Sequence, residues 1–279
     1  MSSTGVREAL MTTAGVPASD GAGVRLTRII GGPKLDLLDP FLLLDAFESD
    51  RPEDYIGGFP SHPHRGFETV TYLLAGRMRH RDNAGNEGVI EPGGVQWMTA
   101  GRGIVHSEMP EQENGLLMGF QLWVNLPARA KMTEPGYQEY PPADVPLETR
   151  ADGTEVRVIA GTTGEGTSGI IRNDYVNPTY LDVKLPAGSI LEQPLAAGDN
   201  AFVFTIEGSL DVEGETLGPR VLGILGPGET VRLESADGAR FLLVAARPLN
   251  EPVARGGPFV MNTQEEVLQA FDDYRHNRF

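Results

Sequence analysis

His62-Pro63-His64 and His106-Ser107-Glu108 are the residues of this chain whose types and spacing could do chemistry. Successive side chains of an extended strand point to opposite faces, so His62 and His64 share a side, as do His106 and Glu108. Three imidazoles and a carboxylate brought together make a ligand set for a first-row transition metal, and Fe(II), Mn(II), Ni(II), Cu(II) and Zn(II) all remain open on that chemistry. Of the five histidines, four lie between positions 62 and 106. The fifth, His276, stands beside Arg275 and near Arg278, and is expected to face the negative end of a helix dipole rather than a metal.

Those pairs can meet only if short strands hold them. Residues 68–74 carry β-branched and aromatic side chains up to the turn Ala75-Gly76. In the next run Met78 and His80 alternate with Arg77, Arg79 and Arg81, which places His80 on the inner face of a half-buried strand, as an interior or pocket group. Further strands are expected at 95–99 and 116–126, the latter with Gln121, Trp123 and Asn125 on the face opposite Leu122 and Val124. Trp97, Trp123, Phe59 and Met98 read as core or interface residues. Arg65, Arg102 and the 77/79/81 series read as solvated or ion-paired faces.

Elsewhere the pattern repeats. Strands are expected at 156–160, 180–185, 201–206, 221–225 and 241–245, and the 35 Gly and 21 Pro are spread between apolar runs as turns. Strands this short at this spacing imply an all-β protein of sandwiches or small barrels. Residues 1–23 lack a sustained period and are expected to form a loosely ordered tail or an edge segment, and proline-rich 134–149 a linker between domains 1–133 and 150–279. A capping box, Thr263-Gln264-Glu265-Glu266, opens an amphipathic helix at about 263–275. The two halves are weakly self-similar: matching Leu73-Leu74-Ala75-Gly76 to Thr205-Ile206-Glu207-Gly208 sets His62 opposite Pro194, His64 opposite Ala196 and Glu68 opposite Asn200. The second domain is therefore expected to lack histidine ligands.

Composition narrows the function classes. A formal charge of −16 without a Lys/Arg-rich run opposes direct nucleic-acid binding. The absence of cysteine excludes disulfides and thiolate ligands, and no window resembles a signal peptide or a membrane span, so a cytoplasmic protein that does not enter a membrane is expected.

Several runs together resemble the pirin family of the cupin superfamily: Asp39-Pro40-Phe41-Leu42-Leu43, Gly58-Phe59-Pro60, His62-Pro63-His64-Arg65-Gly66-Phe67-Glu68-Thr69-Val70, the stretch from Gln96-Trp97-Met98 to His106-Ser107-Glu108, Gln121-Leu122-Trp123-Val124-Asn125-Leu126 and Gly257-Pro258-Phe259-Val260-Met261-Asn262-Thr263. The resemblance implies two tandem cupin barrels of the double-stranded β-helix or jelly-roll type with a C-terminal helix, the first barrel binding a metal. It implies that His62, His64, His106 and Glu108 are the ligands, with Fe(II) first among the candidate metals. It further implies a quercetin 2,3-dioxygenase that opens the flavonol central ring with O₂ and releases carbon monoxide. Glu68 stands at the usual cupin glutamate position, but Trp97 stands where the second cupin motif often has histidine, so Glu68 is set aside as a ligand. Glu108 is the candidate proton acceptor. The expected partners are a small aromatic substrate and O₂, with the chain a monomer. The alternatives are a redox-dependent regulator acting through a protein partner and a cupin oxygenase with another substrate.

Overall fold

The computed structural model describes residues 5–279, which form antiparallel sheets and, among the described residues, a single α-helix. The chain divides into two compact units, each discontinuous in sequence.

One unit comprises Val16–Ala143 with Leu249–Phe279. Its seven-stranded sheet runs in the order Gly136–Tyr140, Val95–Thr99, Phe67–Ala75, Leu117–Asn125, Phe41–Ser49, Val24–Ile30, Val16–Asp20. Its four-stranded sheet runs Phe59–His64, Ile104–Pro110, Met78–Asp82, Glu87–Ile90. The near-continuous burial of Phe67–Ala75 and Leu117–Asn125 reflects their central places. Leu26, Phe47, Leu73, Met78, Ile90 and Leu117 form a core cluster in this unit.

The other unit joins the segment ending at Gly15 to Asp144–Pro248. It repeats the arrangement: seven strands in the order Ala9–Thr13, Leu222–Leu225, Asn200–Gly208, Ala239–Ala246, Thr179–Leu185, Glu155–Ala160, Leu147–Thr149, and four in the order Ser189–Pro194, Thr230–Ser235, Leu210–Val212, Glu215–Leu217. The all-β, two-barrel architecture of the sequence reading is what the structure has.

The domain limits differ from that reading at three places. Within 1–23, Ala9–Thr13 is a strand paired with Leu222–Leu225, and Val16–Asp20 pairs with Val24–Ile30, while residues 1–4 lie outside the described residues. Short, polar edge strands carry little apolar periodicity, and their order comes from the ladder. Arg7 reinforces it: fully buried, it donates to the carbonyls of Gly228, Asp199, Gly226 and Ala196 at 2.7–3.1 Å. Within 134–149, Gly136–Tyr140 is a strand on Val95–Thr99, and the prolines that suggest a linker, Pro135, Pro141 and Pro142, flank it without interrupting its ladder. Finally, 249–279 belongs with the first barrel rather than the second.

That last segment closes with the expected helix, Gln264–Arg275, whose Thr263 side chain accepts from the Glu266 amide while the Glu266 carboxylate accepts from the Thr263 amide. Val267 packs with Ala254 and Met261, and Phe271 meets Phe259 edge-on at 4.8 Å. Gly256 allows this approach, since a Cβ there would stand 2.5 Å from Val267.

Candidate metal centre

The strand Phe59–His64 lies at the edge of its sheet, where the missing amide donors of Pro60 and Pro63 are tolerated. Glycines fix its ends. Gly58 has φ +56° and a Cβ there would come within 2.9 Å of the Glu108 carbonyl. Gly66 has φ +89°, with a Cβ position 2.0 Å from the Val260 carbonyl. The neighbour Ile104–Pro110 sets His106 directly opposite His62, and a bulge between His106 and Glu108 then shifts the register so that Glu108 faces Phe59. On its other side the same strand sets Glu108 opposite His80 and His106 opposite Asp82.

This pairing brings His62, His64 and His106 together, each offering a ring nitrogen within 4.8 Å of the others. Ring centroids lie 4.7 Å apart for His62–His64, 4.5 Å for His62–His106 and 5.1 Å for His64–His106. The Nδ1 of His62 is 2.8 Å from the Pro60 carbonyl, which can only accept, so Nδ1 carries the proton and Nε2 presents its lone pair 3.0 Å from His64 Nε2. Burial, and then the neighbouring His106 and His62, hold His64 well below the ordinary histidine pKa. Burial lowers His106 to about 4, against the opposing pull of Glu108. Both nitrogens of His106 and Nδ1 of His64 are buried without a hydrogen-bond partner. The lowered values of His64 and His106 and the unpartnered nitrogens of His106 suit one metal ion, because a ligating histidine must be unprotonated and the ion would supply a missing partner.

Glu108 is 1% exposed and is not among the atoms that close to within 4.8 Å. Its Oε1 accepts from Thr71 Oγ1 at 2.9 Å and its Oε2 from Gln121 Nε2 at 3.4 Å. Glu68 is also buried and accepts from Thr99 Oγ1 at 2.8 Å, on the seven-stranded sheet and away from the histidines' ladder. His80 is interior, as its alternation requires, and its Nε2 lies 2.6 Å from Glu139 Oε2. His276 is exposed near Asp272 at the helix terminus. Arg65 takes the ion-paired alternative and is buried rather than solvated: 3% exposed, it pairs with Asp273 at 2.7 Å, donates to the Arg102 carbonyl and sits 4.4 Å from the Phe279 ring centroid.

Beside the histidines lies a cavity of about 590 Å³ lined by His62, His64 and Glu108, with apolar walls from Leu26, Leu43, Phe47, Phe59 and Trp123. Trp97 and Met98 are core residues, as read from the sequence, but Phe59 and Trp123 line this cavity. The His64 ring meets Trp123 edge-on at 5.2 Å. Sequence reasoning did not single out Thr71, Gln121 or Arg255 as site residues. The same-face alternation of Gln121 and Trp123 was the available signal for one of them, whereas Arg255 enters from a remote segment.

Among the described residues the second unit holds no comparable histidine group. Its corresponding strands Ser189–Pro194 and Thr230–Ser235 pair Leu191 with Leu233 and Gln193 with Val231, and Leu191, Leu233 and Val231 belong to an apolar core.

Comparison with known proteins agrees over most of the chain. The Pirin family model matches residues 23–124, and the Pirin C-terminal cupin domain model matches 180–279. A pirin-like protein of Caulobacter vibrioides is 56% identical over 274 residues, covering 98% of this chain and 99% of the relative. Pirin of Rattus norvegicus is 48% identical, covering 92% of this chain and 88% of its own length. A crystal structure of quercetin 2,3-dioxygenase from Acinetobacter baumannii superposes with a TM-score of 0.90 at 33% identity, covering 99% of both chains. No helix among the described residues is long and apolar enough to cross a membrane.

Proposed function

This chain belongs to the pirin family, and from that premise we propose that it is a metal-dependent quercetin 2,3-dioxygenase, opening the central ring of a flavonol with O₂ and releasing carbon monoxide. The observation that carries the reading is the convergence of the His62, His64 and His106 imidazoles beside a 590 Å³ cavity whose wall includes His62, His64 and Glu108. His62, His64 and His106 would hold the ion, with Glu108 as fourth ligand and Fe(II) as the first candidate. A divalent metal there would supply a Lewis acid that acidifies an enolic hydroxyl.

The chain's own residues do the rest. Glu108 accepts the proton of the flavonol 3-hydroxyl, and Thr71 and Gln121 hold its carboxylate ready through neutral donors. Phe59, Phe47, Leu43 and Trp123 offer flat apolar walls to a planar ligand and exclude water from the reacting ring. The similarity in sequence and fold to the Acinetobacter enzyme supports this assignment over other cupin chemistries.

The test is metal analysis of protein purified without chelators, followed by loading under anaerobic conditions and measurement of O₂ uptake and quercetin absorbance on admitting air. Wild type should consume both, and His106→Ala should lose metal and turnover. Unchanged turnover in that variant would sink the site assignment.

A further inference from the structure

The cavity contains two guanidinium groups, from Arg28 and Arg255, and their surroundings differ. Arg28 is saturated with carboxylate: its Nε and Nη2 donate to both oxygens of Asp45 at 2.9 and 2.7 Å, and Nη2 also reaches Asp20 at 2.9 Å. Arg255 has no carboxylate within ion-pair distance among the described residues. Nη1 donates to the Leu42 carbonyl at 3.2 Å, and Cζ rests 5.1 Å from the Trp123 ring centroid. Burial, then the Arg28 charge, lowers its pKa against the weaker opposing pull of Asp36, Asp45 and Asp20, of which Asp45 and Asp20 line the cavity and are held by Arg28. Of five N–H donors one is used within the protein, so the planar fork has donors left for a ligand.

Its placement is built. Arg255 comes from the short strand Ala254–Gly256, paired through Val260 to Phe259–Met261. Gly31, at φ +90°, leaves the room it occupies, since a Cβ there would come within 3.4 Å of Nη1 and 3.0 Å of the Leu42 carbonyl. The indole of Trp123 carries Arg255 on it and also meets the His64 ring, so it spans the distance between the guanidinium and the histidines. The His64 ring and the Arg255 guanidinium thus each stand about 5 Å from the Trp123 ring centroid and line the same cavity.

We propose that Arg255 determines the specificity of this cavity by binding an anionic oxygen, a carboxylate or an ionised phenol, on the end of an aromatic substrate remote from the histidine trio. The proposal rests on the dioxygenase reading for the orientation of the substrate but not for the binding itself. A bidentate, charge-assisted pair in a partly buried site strengthens binding by about tenfold or more. The cavity thereby accepts an anion in a chain whose overall charge, −16, would repel one.

The experiment measures quenching of tryptophan fluorescence in Zn(II)-loaded protein under anaerobic conditions by 3-hydroxyflavone and by its 4′-carboxylate. Wild type should bind the carboxylate about tenfold more tightly, with a preference that weakens as salt rises. Arg255→Gln should abolish the preference while leaving the affinity for 3-hydroxyflavone within about twofold, and Arg255→Lys, which keeps the charge and loses the fork, should fall between. 3,4′-Dihydroxyflavone compared at pH 7 and pH 9 separates the two anions: tighter binding at pH 9 in wild type and not in Arg255→Gln identifies phenolate, and its absence leaves carboxylate alone. A wild type without the preference, or an Arg255→Gln protein that retains it, overturns the proposal. If the preference holds but metal-loaded wild type consumes no O₂ with any flavonol, the dioxygenase reading fails and the binding site stands.

Discussion

Lys131 offers a sharp test of the packing beneath the metal centre. Its side chain is 1% exposed, and its ammonium donates to the Gly66 carbonyl at 2.8 Å, to Asn125 Oδ1 at 2.6 Å and to the Val260 carbonyl at 2.9 Å. It thus ties the turn after His64 to the end of a central strand and to the C-terminal hairpin. None of its acceptors is a carboxylate, and burial lowers its pKa to about 8, with Glu251 and Glu266 opposing from a distance. The unfolded chain has the ordinary lysine value of about 10.5. Between those values the unfolded state binds more protons, so stability rises with pH through that window and falls as pH drops toward 8. A shift of this size at about 1.36 kcal/mol per pH unit gives about 3 kcal/mol between pH 7 and pH 10.5. Both tryptophans, Trp97 and Trp123, lie in the unit that contains Lys131, so their fluorescence reports its unfolding separately from the other barrel. Urea titrations of wild type and Lys131→Met at pH 7, 8.5, 9.5 and 10.5 isolate the group, because every other titration cancels in the difference. Wild type should gain about 3 kcal/mol on the variant across the series. At pH 7 the variant is relieved of a buried charge but strands three acceptors, each costing about 1–3 kcal/mol, so it should be the less stable there. Stability curves that stay parallel within about 0.5 kcal/mol would refute a destabilised ammonium at this position.

Other consequences are as direct. Arg65→Met removes the buried partner of Asp273, which keeps Gln269 and Arg278, and the cation over Phe279, which should cost about 1–3 kcal/mol and speed amide exchange across Gln264–Arg275 first. Thr71→Val removes the closer of two donors to Glu108 with little change of shape, and should lower O₂ uptake with quercetin severalfold while leaving the thermal midpoint within a few degrees. Glu108→Gln should weaken metal retention by about tenfold or more, read by equilibrium dialysis. In the other barrel Leu233→Ala empties a fully buried position and should cost about 2–5 kcal/mol with no loss of bound metal, and a loss of metal would refute the assignment of the site to one unit.

The site was legible where ligand type and strand period coincide. His62 and His64 lie two apart on an extended run, and the motif's Gly58 and Gly66 satisfy close approaches that other residues could not. What the sequence hid is registry. The bulge after His106 decides which side chain faces Phe59, and nothing local in His106-Ser107-Glu108 announces it. Glu108 consequently sits on Thr71 and Gln121, outside the close nitrogen trio. Domain limits were obscured for a related reason: edge strands such as Ala9–Thr13 and Gly136–Tyr140 depend on a neighbour for their hydrogen bonds and need little apolar periodicity. Arg255, about 190 residues from His62 and His64, could be placed in the cavity only by the fold.

The two barrels show what a cluster of buried histidines demands of a shared scaffold. Both set two edge-paired strands against a seven-stranded sheet, and in one those strands carry Leu191, Val231 and Leu233 into a continuous apolar core. In the other they carry three histidines, two of them with unsatisfied buried nitrogens, beside a cavity, an arrangement that costs stability through buried polar groups and forgone packing. Compensation is visible around that cavity rather than in it: Arg65 on Asp273, Lys131 on three oxygens and the capped helix clasp the barrel with the segment Leu249–Phe279. The same segment delivers Arg255 to the cavity. Stabilising the histidine barrel and furnishing its pocket are therefore one structural task, and the segment that performs it follows the second barrel in sequence while folding with the first.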